Sequence, residues 1–123
     1  MNDVRSPFHF DRAAALSRLD DDADLLHDVV RQFVDDAPAA LAAIESAIAQ
    51  GDGAALRDAA HTFKGAAGYL AADEFCAMAQ TLEGFGRADQ MGQARHLWPA
   101  FESAARAMVG ALRVELAGDA GSP

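Results

Sequence analysis

Residues 59–72 read AAHTFKGAAGYLAA, a run of helix-forming alanines that also holds a histidine, a lysine and two glycines. Glycine in a helix interior costs on the order of 1 kcal/mol relative to alanine. Advancing about 100° per residue with His61 at zero puts Lys64 at about 300°, Gly65 at about 40° and Gly68 at about 340°. These four share one narrow stripe. Leu56, Ala59, Phe63, Ala66, Ala67 and Leu70 fall between roughly 140° and 240°, a compact apolar face on the other side. The stretch therefore reads as an amphipathic helix that buries one face, and a chain built from such helices is all-α. His61 points away from the core, which fits poorly with a histidine hydrogen-bonded in the interior. Without side chains, Gly65 and Gly68 leave room for another surface to approach the ring. Close packing of one helix on another is the alternative use, and it sits badly with glycines on the solvent side.

Lys64, one turn from His61, brings an ammonium within reach of anything attached to the ring. A phosphoryl group is such an attachment: neutral imidazole is a nucleophile near pH 7 and needs no activating base to attack an activated phosphorus. The lysine then offsets negative charge on the group in transfer. Asp58 lies one turn back and can orient the ring or favour its proton, while Arg57 adds positive potential at the edge; residues of both kinds are more often plain surface charges.

Outward from this helix the same periodicity continues. Towards the N-terminus, GDG at 51–53 is a turn in which Asp52 can cap the motif helix. Before it, Leu25, Leu26, Val29, Val30, Phe33 and Val34 form a stripe that Leu41, Ile44 and Ile48 continue. Pro38 interrupts that stripe and predicts a kink or short break near Asp36 and Ala37. A short first element carries Ala14, Leu16 and Leu19 and stops at the acidic run 20–24, which can cap the helix that follows. Towards the C-terminus, AADE opens a helix with Phe75, Met78, Leu82 and Phe85 inward, which Gly84 and Gly86 are expected to end. A last helix holds Leu97, Trp98, Phe101, Met108, Val109, Leu112 and Leu116, with Pro99 predicting a kink or a separate first turn. Long amphipathic helices joined by connections of two to five residues should be antiparallel neighbours. The expected architecture is an up-down four-helix bundle over residues 11–116 with a short additional N-terminal helix, a tail at 1–10 and a flexible tail at 117–123.

Composition narrows the function classes. At 123 residues the chain fits one domain, and 51% apolar residues with few aromatics suit closely packed helices. A formal charge of −9 disfavours nucleic acid and anionic lipid. The N-terminus lacks a signal peptide's apolar run and no stretch approaches a membrane span, so a cytoplasmic protein is expected. Cys76 is the sole cysteine, which excludes an internal disulfide and reads as a packing residue. His9, His27 and His96 complete the histidines, without a Glu-x-x-His pair, and no metal site is expected. There is no glycine-rich phosphate loop that would make the chain a kinase.

AHTFKGAAGYL resembles the signature of histidine phosphotransfer (HPt) domains, in which an exposed histidine on a four-helix bundle is followed by a hydrophobic residue, lysine and glycine. FDRAAALSRL, ADLLHDVVRQFVDDAPAALAAI and LEGFGRAD are similar to other parts of the family, so the resemblance spans residues 10–116. Tyr69 and Ala71 stand where the frequent family pattern has asparagine and glycine. The resemblance implies that His61 is the phosphoacceptor, Phe63 the buried spacer, Lys64 the phosphate neighbour and Gly65 the close-approach position, with Gly68, Arg57 and Asp58 on the docking surface. It implies a relay in two-component signalling: His61 takes a phosphoryl group from a receiver-domain aspartyl phosphate, through Nε2, and returns it to another receiver aspartate. The partners implied are response-regulator receivers or a hybrid sensor histidine kinase. No intrinsic cofactor is expected, the Mg²⁺ belonging to the receiver, and the default state is a monomer. The rival reading is a non-phosphorylated helical interaction module or kinase inhibitor that docks through the same face.

Overall fold

The computed structural model describes residues 10–121. They form five helices and no strand: α1 (Arg12–Arg18), α2 (Ala23–Gln50), α3 (Gly53–Gly68), α4 (Asp73–Arg87) and α5 (Met91–Gly121). The expected N-terminal tail lies outside the described residues as far as His9, as do residues 122 and 123.

Aspartate side chains open the first three helices, each accepting the otherwise orphaned amide three residues on: Asp11 from Ala14, Asp22 from Leu25 and Asp52 from Ala55, all at 3.0 Å. Gly51 closes α2 in the left-handed conformation (φ 66°), which costs glycine nothing. The cap from the acidic run 20–24, the Asp52 cap and the GDG turn thus fall where the sequence places them, and Asp11 adds a cap to α1.

The helix boundaries refine the expectations from sequence at several places. Pro38 and Pro99 neither break nor end a helix; α2 runs unbroken for 28 residues and α5 for 31. Both prolines lie on the exposed side, while Ala37, Leu41 and Phe101 bury the adjoining turns in the core. Packing on both flanks outweighs one lost backbone bond. α4 ends at Arg87, the last residue of the GFGR segment, having run through Gly84 and Gly86. Gly86 has a packing role: a Cβ there would lie 2.6 Å from the Gly53 carbonyl oxygen and 2.7 Å from the Arg57 amide, so only glycine lets α4 approach α3 this closely. Finally, α5 draws in residues 117–121, assigned above to a tail.

The four long helices touch in a closed order, α2 with α3, α3 with α4, α4 with α5 and α5 with α2, and α1 lies against α2. Each contributes one phenylalanine to a shared centre. Phe33 of α2 stacks on Phe63 of α3 at 5.2 Å, Phe63 meets Phe75 of α4 edge-on at 5.3 Å, and Phe75 stacks on Phe101 of α5 at 4.9 Å. Ion pairs fasten α1 across one end of the bundle, Arg12 to Glu115 of α5 at 2.7 Å and Arg18 to Asp73 of α4 at 3.0 Å.

Candidate functional site

Burial of Phe63 fixes the rotation of α3. Leu56, Ala60, Phe63 and Ala67 face the core, so His61 turns outward, with 66% of its side chain exposed. Gly65 and Gly68 lie on this open side, and a Cβ built at either would meet nothing within 4 Å. Neither glycine serves helix packing. That role belongs to Gly53 and Gly86.

A residue that the sequence reading missed joins the site. Glu83 of α4 is the buried charged side chain among the described residues, 6% exposed. Its Oε2 accepts from His61 Nδ1 at 3.1 Å and from Arg87 Nη2 at 3.0 Å, and its Oε1 accepts from Lys64 Nζ at 2.8 Å. Burial alone would raise its pKa, but the Lys64 hydrogen bond, helped by that from His61 and by the lysine's charge, holds the carboxyl below its usual value. An ionised carboxylate can only accept, so Nδ1 carries a proton, and in the neutral imidazole the lone pair is therefore on Nε2. The sequence did hold a signal: Glu83 stands alone among the apolar and small residues Phe75, Ala79, Leu82 and Gly86 on the buried side of α4.

Lys64 is brought to the ring as its spacing predicts, and both residues converge on one carboxylate. The lysine is held at two points, since the Cys76 thiol also donates to its backbone carbonyl at 3.6 Å. Burial chiefly pushes the Cys76 pKa up, so the group remains a thiol that packs and donates. Asp58 does not take the orienting role considered for it. Its carboxylate pairs with Arg57 at 3.0 Å, and the carboxylate on the ring is that of Glu83. On the other side of His61 an open groove runs along Gly65 and Gly68 to Tyr69, with Arg18 of α1 at its wall. Arg18 reaches it by donating to the Gly68 carbonyl at 2.9 Å.

Among the described residues no group of three or more His, Cys, Asp or Glu side chains could hold a metal ion, and no helix is long and apolar enough to cross a membrane. The arrangement offers an exposed, pre-oriented nitrogen nucleophile with a cation beside it and clearance in front.

A profile of the Hpt domain matches residues 28–115. Among solved structures, the chain is similar to the crystal structure of histidine-containing phosphotransfer protein B from Pseudomonas aeruginosa. The two share 25% identity and superpose with a TM-score of 0.79 over 91% of this chain and 96% of that one. A search of curated protein sequences gives no significant match.

Proposed function

Since the chain belongs to the Hpt domain family, we propose that it is a phosphorelay intermediate that carries the phosphoryl group on His61 between aspartates of receiver domains. The observation that carries this reading is an exposed imidazole whose Nδ1 is bound to a buried carboxylate. The Nε2 lone pair attacks the phosphorus of a receiver's aspartyl phosphate, an N–P bond forms as the P–O bond breaks, and the aspartate leaves as carboxylate. Return to a second receiver is the same step reversed. Positive charge gathers on the ring as the N–P bond forms, and Glu83 faces it through Nδ1–H. Lys64 lies one turn away to offset charge on the phosphoryl oxygens, and Gly65 and Gly68 give the receiver access. Positioning and charge are most of what in-line phosphoryl transfer asks of a protein.

The closed order of helix contacts and the short connections support an antiparallel up-down four-helix bundle with α1 as an added helix. We read the chain as a monomeric cytoplasmic relay without autokinase activity, dependent on a receiver or a hybrid sensor kinase for its phosphoryl group and on the receiver for Mg²⁺. Incubation with a phosphorylated receiver domain should give a base-stable, acid-labile label that is absent from His61→Gln. Equal labelling of the mutant would remove His61 from the role, and stable docking without any label would favour a non-phosphorylated interaction module.

A further inference from the structure

The groove beside His61 does not end at Tyr69. Tyr69 and Ala66 also wall a second groove, whose far side is α2 and whose floor is Val29 and Phe33. Tyr69 is therefore a ridge between the two. It is 60% exposed, one of three large hydrophobic side chains the described surface leaves out, and Leu25, also exposed, shares the sector of α2 that holds Val29. A body that reaches Nε2 across Gly65 and Gly68 covers Tyr69, and its next contact falls in the second groove.

Charge says what that contact is. The charged side chains lining the second groove are Asp28 and Asp36, two turns apart on α2 and both exposed. Among the described residues Asp36 accepts from the neutral amide of Gln32, at 2.8 Å, and pairs with no cationic side chain. The groove is thus an apolar floor under two carboxylates, complementary to a helix face that carries aliphatic side chains and a lysine or arginine. Tyrosine is suited to the ridge, since it buries a large area for little lost side-chain freedom.

We propose that Tyr69 and the Asp28/Asp36 groove are the selectivity surface of this chain: they admit receiver domains that set an apolar helix face with a cationic side chain beyond the phosphoryl-transfer site. The proposal rests on the phosphorelay reading above. A central aromatic anchor acts on complex lifetime, and a charge pair at the rim acts on encounter rate and its salt dependence. Both enter transfer through the receiver concentration at half-maximal rate.

The test uses a panel of receiver domains phosphorylated with acetyl phosphate, with initial rates of His61 labelling measured against receiver concentration. For the receivers that label the wild type best, Tyr69→Asn and Asp28→Lys/Asp36→Lys should raise KM tenfold or more, outweighing any fall in kcat. A control pair with the same change of charge on the α2–α5 side, Glu45→Lys/Glu102→Lys, should leave KM within twofold. Circular dichroism and thermal melting establish that each variant is folded. Unchanged KM in both groove variants overturns the proposal while leaving the relay intact. A rise confined to Tyr69→Asn overturns the cationic partner, and a rise shared by the control pair overturns the groove in favour of net charge. A wild type labelled by no receiver overturns the relay reading itself.

Discussion

Glu83 serves three donors with two oxygens, and the cluster has a pH signature whose sign follows from its lowered pKa. In the unfolded chain the carboxyl titrates at about 4.3. The stabilisation is complete above that value and is lost as pH falls through the lower folded value. Glu83→Gln should therefore be less stable than wild type at pH 7, with the difference in Tm shrinking as the solution is acidified through the lowered folded value; a constant difference would mean that the charge of Glu83 contributes nothing. Gly65 offers the opposite case. A methyl group there meets nothing, so Gly65→Ala should stabilise the fold by up to about 1 kcal/mol in chemical denaturation. Gly65→Leu should stay folded yet transfer phosphoryl groups more slowly, because stability and access pull that position in different directions. Ala71 carries a cost of another kind: its φ of 57° lies in the left-handed region, where the other non-glycine residues are aspartates that tolerate it better. Ala71→Gly, which restores the residue frequent in the family, should gain about 1 kcal/mol, read as a higher denaturation midpoint.

At the scale of elements, what the sequence discloses is what is local. Asp22 and Asp52 as caps, Gly51 as a turn and the apolar stripes of α2 and α3 need only neighbours within a few residues, and all were legible. The break at Pro38 and the separate first turn at Pro99 are absent for the same reason. Proline's effect on an isolated helix is local and strong, whereas what keeps α2 and α5 continuous is burial against other helices, which no window of sequence contains. The site divides likewise. His61, Lys64, Gly65 and Gly68 lie within eight residues of one helix, and a wheel brings them together. Glu83 lies 22 residues from His61, across a connection, and its bond to the ring exists only once α4 is laid against α3. The same is true of Arg18, which comes to the groove from 50 residues away.

Across the whole molecule, the four phenylalanines make the helices hold one another at a common point. Phe75 touches the rings of Phe33, Phe63 and Phe101 and is fully buried. Phe75→Ala should cost roughly 3–5 kcal/mol in equilibrium unfolding, since it empties the volume that all four helices share. A loss below about 1 kcal/mol would show that the helices are held elsewhere. The contact of Gly53 with Gly86 works at the same scale but bears on the chemistry. Glu83 and Gly86 are one turn apart on α4, so the close approach of the two glycine backbones bears on the distance between carboxylate and imidazole from a place that does not touch the ring. Gly86 is thus a spacer gauge for the imidazole. A single methyl group at 86 would pry the helices apart, and the ring proton would then be free to choose its nitrogen. The defect would register first in the tautomer ratio of an otherwise helical protein.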